Sequence, residues 1–326
     1  MIVSQESLTT AIGLRDRVTM FRHALWNLVA IVTVVMGLVG VGGAYYVLNH
    51  SGEAGTPEVV ATFYPYQYLA SRVAGDRFSV RALVPPGVEP HEWEPTPRDS
   101  LTIAISPAFV YNGYVEAYLA NLFRELPADK PVRVNASAGL DVIRGGEGGA
   151  SAVDPHLWLD PVRVDMTIDT IAAGFSKADP AGRATFEANA AALRQEVERI
   201  HTMFVNGLQT CARRIFITQH EAFAYLAQRY NLTQYAIQGL SPDQEPTPTK
   251  MQEILNVINQ TGSKYVFFEE LVSPAVARTL ANEAHVQTMV LSPIDGLTAE
   301  EQQNGDTYLT LMERNLQHLR IALECS

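Results

Sequence analysis

The sequence contains very little cysteine. Only Cys211 and Cys325 occur among its 326 residues, and neither belongs to a C-x-x-C pair. A zinc finger built from cysteine pairs is therefore excluded, because such sites need closely spaced thiolates. A single disulfide between the two would be compatible with an exported protein, since oxidising compartments preserve such bonds. The sequence alone leaves open whether the two thiols are bridged.

Positive charge is also scarce. The chain has 24 Lys and Arg residues against 35 Asp and Glu residues, which gives a formal net charge of −11. Nucleic-acid binding needs a basic surface that neutralises phosphates, so we expect no nucleic-acid partner. An acidic surface is compatible with the capture of cations. Many acidic proteins bind no cation, however, so the charge alone assigns no function.

The remaining composition is that of a folded protein. Hydrophobic residues make up 47% of the chain and charged residues 18%, and no low-complexity tract is present. These proportions fit a globular protein rather than a disordered one. A chain of 326 residues is long enough for two domains with cores of their own.

One long hydrophobic run lies near the N-terminus. The 25 residues Ala24–Leu48 carry no charge, and Arg15, Arg17 and Arg22 precede them. As a helix this run would be ~37 Å long, which exceeds a hydrocarbon core of ~30 Å. The positive-inside rule places the preceding residues in the cytoplasm. We therefore predict a single-pass signal anchor in the cell membrane, with the binding domain on the extracytoplasmic side.

A cleaved signal peptide is the alternative interpretation of this run. Its apolar core is usually shorter, about 7–15 residues. No cysteine follows the run to carry a lipid anchor, although the small residues at Gly40–Ala44 would suit a peptidase. The predicted N-terminal segments are a cytoplasmic tail, a transmembrane signal anchor and a polar stalk, at residues 1–23, 24–48 and 49–57.

Beyond the stalk, short apolar stretches alternate with helical patterns. This alternation predicts an α/β fold with mainly parallel sheets flanked by helices. The predicted strands are residues 58–63, 77–84, 101–105, 109–111, 214–218, 264–268 and 287–292. The predicted helices are residues 64–74, 161–177, 221–230, 274–284 and 307–323. The glycine-rich residues 145–153 are expected to form a flexible surface loop.

A long helical pattern separates two similar halves of this α/β region. It starts at Pro180, a residue well suited to a helix start, and continues to Leu208. Its apolar residues recur three or four positions apart, at Phe186, Ala190, Leu193, Val197, Ile200 and Phe204. We predict an N-terminal lobe at residues 58–179, a linking helix at residues 180–209 and a C-terminal lobe at residues 210–326.

Four residues are candidate metal ligands. His91, His220 and Asp295 each follow a predicted strand, and His156 lies on a predicted loop. Open α/β sheets bind ligands beyond the carboxyl ends of their strands, and each lobe supplies two of the four candidates. Three imidazoles and a carboxylate suit zinc, whereas calcium and magnesium prefer oxygen cages and manganese prefers more carboxylate. Copper and nickel remain compatible with this ligand set.

Each candidate also has an interpretation that involves no metal. A lone histidine near a strand end is more often an ordinary polar residue, and Asp295 would suit a turn or a helix cap. The chain has no H-E-x-x-H motif and no closely spaced histidine pair. Glu92, beside His91, and Glu270, at the end of a predicted strand, are candidates for orienting an imidazole or lining the cleft.

Seven motifs in a fixed order strengthen the metal interpretation. They are FYPYQYLASRVAGD at 63–76, GVEPHEWEPTPRD at 87–99, DPHLWLDP at 154–161, TQHEAFAYLA at 218–227, GLSPDQEPTPTK at 239–250, FFEELVSPAVARTLA at 267–281 and LSPIDGLTAEE at 291–301. Together they resemble the cluster A-I solute-binding proteins of zinc and manganese ABC importers. The likeness is greatest to the zinc-specific high-affinity uptake type, and it extends from about residue 58 to residue 325.

The resemblance implies two α/β lobes joined by one long rigid helix, with the metal held between the lobes. It places the ligands on His91, His156, His220 and Asp295. Manganese-selective relatives usually carry glutamate at the position of His220, so the resemblance favours Zn²⁺ over Mn²⁺. It also implies a monomeric binding subunit, not an enzyme, whose partners are an ABC permease and its ATPase.

Two features depart from the family pattern. Many zinc members carry a histidine-rich loop before the second ligand motif, whereas residues 145–153 contain no histidine. The fourth ligand is often glutamate in such relatives, and Asp295 is one methylene shorter, so that a water would complete the shell. Two other functions remain open: a surface adhesin with a metal site, and a zinc hydrolase with Glu92 as its base.

Overall fold

The structure is a computed structural model, and it describes Met36, residues 56–145 and residues 152–326. The predicted cytoplasmic tail and the predicted membrane anchor lie outside the described residues, apart from Met36. Most of the predicted stalk and of the loop at 145–153 also lies outside them. Within the described ranges, no helix combines the length and the apolar character needed to cross a membrane.

Two parallel four-stranded sheets form the framework of residues 56–326. Their strand orders are β2-β1-β3-β4 and β6-β5-β7-β8, and every neighbouring pair is parallel. The strands are β1 (Glu58–Ala61), β2 (Ser79–Ala82), β3 (Ala108–Tyr111), β4 (Val132–Asn135), β5 (Ile215–Thr218), β6 (Thr233–Ala236), β7 (Tyr265–Phe268) and β8 (Gln287–Val290). The predicted α/β fold with parallel sheets is confirmed.

Helices flank both sheets. They are α1 (Tyr64–Ala74), α2 (Pro97–Ile105), α3 (Leu119–Glu125), α4 (Pro161–Ala178), α5 (Arg183–Gly207), α6 (Ala224–Arg229), α7 (Pro248–Thr261), α8 (Ala275–Glu283), α9 (Ala299–Asn304) and α10 (Tyr308–Ala322). Single 3₁₀ turns occur at Leu157–Leu159 and Pro180–Gly182. Prolines begin α2, α4 and α7, where the missing backbone N–H needs no partner.

The two sheets share one topology, and that topology creates equivalent crevices. In the first sheet β1 lies between β2 and β3, and in the second β5 lies between β6 and β7. In each sheet the chain first runs from the central strand to the neighbour on one side, and it then crosses over to the neighbour on the other side. In such sheets, ligands bind at this switch point, beyond the carboxyl ends of the strands.

The long helix α5 joins the two lobes. At 25 residues it extends over roughly 37 Å. The predicted apolar stripe from Phe186 to Phe204 is confirmed, because all six of its side chains are buried. The helix packs on α1 and α4 of the first lobe and on α10 of the second. Residues of both lobes consequently belong to one continuous hydrophobic core.

The prediction of a strand at residues 101–105 was wrong. These residues belong to α2, which begins after a capping box formed by Thr96 and Asp99. The capping box and Pro97 start a helix that the short apolar run by itself did not indicate. Five further elements had no sequence prediction, namely β4, β6, α3, α7 and α9.

A disulfide joins Cys211 and Cys325. The two residues are 114 positions apart, so the bond links the segment after α5 to the end of the chain. Backbone hydrogen bonds accompany it, with the amides of Ala212 and Arg213 donating to the carbonyls of Glu324 and Leu323. The bridge therefore closes the second lobe beside the end of the linking helix.

Candidate metal centre

His220 lies at the switch point of the second sheet. It follows β5 directly after Thr218 and Gln219, and Glu269 follows the neighbouring strand β7. The His220 Nδ1–H donates to Glu269 Oε1 at 2.6 Å, and the same oxygen accepts the His220 backbone N–H at 3.1 Å. Both side chains are buried. The ring is thereby held with its Nε2 atom directed away from Glu269.

His156 is supported by a carboxylate in the same way. Asp154 Oδ1 accepts the His156 backbone N–H at 2.9 Å and the ring Nδ1–H at 2.8 Å. The intervening Pro155 carbonyl accepts a hydrogen bond of 2.9 Å from Asn112, which follows β3 at the switch point of the first sheet. His156 has no solvent-accessible surface. The Nε2 atom of this fixed ring is therefore the nitrogen that is available to bind a metal.

The segment at residues 154–160, which carries His156, is bound tightly to the second lobe. Tyr225 on α6 donates its hydroxyl to the Asp154 carbonyl at 2.7 Å, and Tyr308 on α10 donates to the Trp158 carbonyl at 2.5 Å. Trp158 Nε1–H donates to the Pro293 carbonyl at 2.7 Å. His156 thus keeps a fixed position relative to the loops of the second lobe.

Asp295 lies on the loop after β8, in an unusual backbone conformation. Ile294 has φ of 60°, which a β-branched residue rarely adopts, and it is fully buried. Asn315 holds the loop by accepting the Ser292 backbone N–H at 2.9 Å and donating to the Ser292 carbonyl at 2.6 Å. Asp295 itself is 3% exposed, and its Oδ1 atom is buried without a hydrogen-bond partner in the described part of the chain.

His91 reaches the site from the loop that follows β2. Its backbone N–H donates to Glu89 Oε2 at 2.9 Å, which shapes the turn through Pro90. The His91 side chain is 9% exposed, and the other oxygen of Glu89 lies 4.0 Å from His91 Nε2. Neither α6 nor α10 of the second lobe makes a hydrogen bond to this turn among the described residues.

Three predicted ligands converge on one point. The Nε2 atom of His156 lies 3.2 Å from that of His91 and 3.2 Å from that of His220. Donors bound to one tetrahedral zinc at about 2.0–2.1 Å are separated by about 3.3–3.4 Å. The carboxylate of Asp295 adjoins this group, since its oxygen, an oxygen of Glu89 and a ring nitrogen of His91 all lie within 4.8 Å of one another.

The imidazoles differ in their affinity for protons. Burial and the neighbouring His156 and His220 rings hold the pKa of His91 well below its ordinary value, and burial with His220 does the same for His156. Burial also opposes a charge on His220, but the carboxylates of Glu269, Asp295 and Glu89 outweigh it and raise the pKa to about 9. The centre therefore favours one positive charge at His220.

The carboxylates of the site hold protons unusually well. Burial and the nearby Asp295 raise the pKa of Glu89 to about 8. Burial, partly offset by His220, raises the pKa of Asp295 to about 7. Burial also raises the pKa of Asp154 to about 7, against the opposing effect of the His156 backbone N–H. A divalent cation would favour the ionised form of each of these groups.

The two predicted supporting glutamates make no hydrogen bond to the imidazoles among the described residues. Glu92 is exposed on the loop beside His91. Glu270 is partly buried and lines a separate cavity of about 430 Å³ with Glu301 and Arg314. The groups that orient the imidazoles are instead Asp154 and Glu269.

Sequence reasoning missed Asp154 and Glu89, although a signal for both is present. Each stands two residues before a histidine, in the tripeptides Asp154-Pro155-His156 and Glu89-Pro90-His91. In both tripeptides the carboxylate accepts the backbone N–H of the histidine, so the acid-Pro-His pattern marks a turn that presents an imidazole. Glu269 stands directly before the candidate Glu270 in the sequence.

Comparison with known sequences identifies relatives of this chain. The profile of the family described as ZnuA, "zinc-uptake complex component A periplasmic", matches residues 59–322. The chain is 36% identical over 277 residues to the high-affinity zinc uptake system protein ZnuA of Bacillus subtilis, covering 81% of this chain and 87% of that protein. It is also 36% identical over 284 residues to the zinc-binding lipoprotein AdcA of Streptococcus pneumoniae, of which it spans only 57%.

Solved structures agree with the sequence comparison. The Zn(II)-bound ZnuA-like domain of Streptococcus pneumoniae AdcA matches with a TM-score of 0.74 and 37% identity, over 83% of this chain and 100% of that domain. The laminin-binding protein Lmb of Streptococcus agalactiae matches with a TM-score of 0.73 and 30% identity, over 82% of this chain and 99% of Lmb. The extent and identity of these matches show that the chain belongs to the ZnuA family of zinc-uptake binding proteins.

Proposed function

We propose that this protein captures Zn²⁺ outside the cytoplasm and delivers it to an ABC permease with its ATPase. In this proposal His91, His156, His220 and Asp295 hold the ion between a lobe at residues 58–179 and a lobe at residues 210–326. The named zinc-uptake and zinc-binding relatives support the choice of metal. Zinc is the cargo here, so it must bind firmly and later leave.

The observation that carries the proposal is the convergence of the three Nε2 atoms at 3.2 Å. The Nδ1 atoms of His156 and His220 donate to Asp154 and Glu269, so both rings direct their other nitrogen to a common point. At this distance two unprotonated nitrogens repel one another, so the group needs either the proton that His220 holds in the metal-free site or a metal cation between the rings. Carboxylate-supported imidazoles around one point are the usual arrangement of a zinc site.

A binding role fits this ligand set better than catalysis does. Catalytic zinc sites usually have three protein ligands and keep a fourth position open for water or substrate. Here the carboxylate of Asp295 adjoins His91, one of the three imidazoles. Glu92, the base considered for a hydrolase, is exposed, whereas the candidate ligands His156, His220 and Asp295 are buried. These features favour a closed cage that carries an ion without transforming a substrate.

We also propose that residues 24–48 anchor the protein as a single-pass signal anchor. The support is the composition of this run, which has no charge over 25 residues and follows three arginines. The binding lobes would then remain beside the permease as a monomer. Retention of the protein in membranes after an alkaline wash would agree with the anchor, whereas release by the wash would argue against it.

Replacement of His220 tests the proposed function. We expect His220→Ala to weaken zinc binding by at least 100-fold, because the shell loses a nitrogen donor held by Glu269. Competition with a chromophoric zinc chelator would measure the affinity. The matched control is His201→Ala, since His201 lies on α5 and contacts Tyr230 instead of the site. If wild-type protein took up no zinc, or if both variants bound it equally, the proposal would be wrong.

Adhesion is a second candidate function. The structure of Lmb is described as that of a bifunctional protein with adhesin and metal-transporting activity, and this chain matches it over 82% of its length. An adhesive role would add to zinc capture rather than replace it. Binding of the His220→Ala variant to immobilised laminin would support adhesion independent of the metal. Absence of binding by the wild-type protein would remove this candidate.

A further inference from the structure

The two acid-Pro-His turns place their carboxylates differently. Asp154 accepts the backbone N–H of His156 and also reaches the Nδ1 atom behind that ring. Glu89 accepts the backbone N–H of His91 through Oε2 in the same manner. Its additional methylene carries Oε1 to the opposite side of the ring, where it lies 4.0 Å from Nε2, the atom directed at the proposed ion.

The position of Glu89 Oε1 lacks a structural explanation. The atom is buried and has no hydrogen-bond partner among the described residues. Asp295 Oδ1 is likewise buried without a hydrogen-bond partner among the described residues, and Asp295 is only 3% exposed. Buried carboxylate oxygens without partners are costly and rare, so two of them beside His91 call for a ligand that both can bind.

The three groups also have the spacing of metal ligands. One oxygen of Glu89, one of Asp295 and a ring nitrogen of His91 lie within 4.8 Å of one another. Donors of a zinc ion with bond lengths of about 2.0–2.2 Å can be at most about 4.4 Å apart, so only a small movement of the His91 loop is needed. His91 belongs both to this group and to the three-histidine group.

This carboxylate side is also the side from which an ion can approach. A cavity of about 250 Å³ adjoins Asp295 and Val88, and its lining includes Tyr64, Gln67 and Gln302. His156 and His220, in contrast, have no exposed surface. A hydrated cation entering through the cavity therefore meets Asp295 before it meets the inner imidazoles.

We propose that Glu89 is a fifth metal-binding residue, which joins His91 and Asp295 in an outer coordination position through which zinc enters and leaves the three-histidine position. The proposal rests on the proposed function, because it concerns the same zinc site. In the loaded site one ion contacts all five protein donors, since zinc accepts five-coordinate geometry, and during entry and release it contacts only the outer three. A position shared through His91 lets the ion exchange ligands one at a time instead of losing its whole shell.

Two substitutions in the full-length protein distinguish a role of Glu89 in metal binding from its role in shaping the turn before His91. Glu89→Gln keeps an oxygen that can accept the His91 backbone N–H but removes the charge. Glu89→Asp keeps the charge but shortens the side chain to the length of Asp154. We expect both to weaken zinc binding roughly tenfold or more, since even supporting groups contribute about 10–100-fold. Glu92→Gln, an exposed glutamate on the same loop, is the matched control.

Cobalt gives a readout that a purely structural role would not change. Co²⁺ in the wild-type protein should show the weaker visible absorption of a five-coordinate ion, and Glu89→Gln should raise that absorption as the coordination number falls. The metal-free variant should melt no lower than wild type. Zinc affinity and cobalt spectra identical in wild type, Glu89→Gln and Glu89→Asp would overturn the proposal. So would lower affinity with an unchanged spectrum and a lower melting temperature.

The outcome for Glu89 is distinguishable from that for the proposed function. If the wild-type protein bound neither Zn²⁺ nor Co²⁺, the zinc-capture function itself would fail. If wild type bound both ions and the Glu89 variants did not differ from it, the four-ligand cage would stand and the outer position would be refuted. Stopped-flow release of zinc to a chelator should also be altered in Glu89→Gln and unchanged in Glu92→Gln.

Discussion

At the scale of single residues, two buried acids orient the imidazoles of the centre. Glu269 and Asp154 each accept the Nδ1–H of an imidazole, at 2.6 Å and 2.8 Å. Such a hydrogen bond fixes which nitrogen carries the proton, orients the ring and increases the basicity of the other nitrogen. Burial of the pair strengthens this effect, because the surrounding medium screens it poorly.

We therefore expect Glu269→Gln to weaken zinc binding about 10–100-fold although the residue is not a ligand. The amide oxygen still accepts the Nδ1–H of His220, but the negative charge that favours a cation is lost. Chelator competition would measure the change. Glu92→Gln is the matched control, since Glu92 is exposed on the loop beside His91. Equal zinc affinities for the two variants would contradict the role assigned to Glu269.

At the scale of elements, the segment at residues 154–160 connects the two lobes through the site. It comes from the first lobe in sequence but is held by hydroxyls of α6 and α10 in the second. Tyr225 also accepts the backbone N–H of Ile143 at 3.0 Å, so one hydroxyl satisfies two buried backbone groups. The position of His156 is thus determined by both lobes at once.

Tyr225→Phe should consequently lower stability and zinc affinity together. Loss of the hydroxyl leaves the Asp154 carbonyl and the Ile143 amide without partners, at a cost of about 1–3 kcal/mol in the free energy of unfolding. Denaturant unfolding would measure the stability, and zinc affinity should fall because Asp154 and His156 lose their support. Tyr114→Phe is the control, since Tyr114 is 42% exposed. A stable variant with wild-type affinity would show that this contact does not position His156.

At the scale of the whole molecule, the metal-free protein holds protons where it would hold zinc. The pKa values of Asp154, Asp295, Glu89 and His220 are all raised, to about 7, about 7, about 8 and about 9. A group with a raised pKa stabilises the fold fully below its unfolded value, and this contribution is lost as pH rises through the folded value. Zinc binding has the opposite dependence, since ligands must release their protons.

The increase in melting temperature caused by zinc should therefore be larger at about pH 8 than at about pH 6.5. Below about pH 6.5 the lowered pKa values of His91 and His156 add a separate loss of stability, so the comparison belongs above that value. Thermal unfolding of metal-free and zinc-loaded protein at both pH values would test this. An increase that is equal or smaller at the higher pH would contradict proton release on binding.

Much of the fold followed from local patterns. The apolar stripe of α5 and the alternation of short strands with helices are periodic signals that do not depend on contacts with distant parts of the chain. The helix at Pro97–Ile105 was mistaken for a strand because its start depends on the capping box of Thr96 and Asp99 rather than on periodicity. The edge strands β4 and β6 were missed because their partly exposed residues carry little apolar signal.

The sequence by itself determined the α/β class, the linking helix and the four candidate ligands, because strand ends and short motifs are local features of the chain. Only the tertiary structure decided which distant acids meet those ligands. Glu269 meets His220 because β5 and β7 are neighbours in the sheet, and Glu89 meets Asp295 because two distant loops meet in the cleft. Such contacts depend on strand order and on the packing of distant loops, which are not local features of the chain.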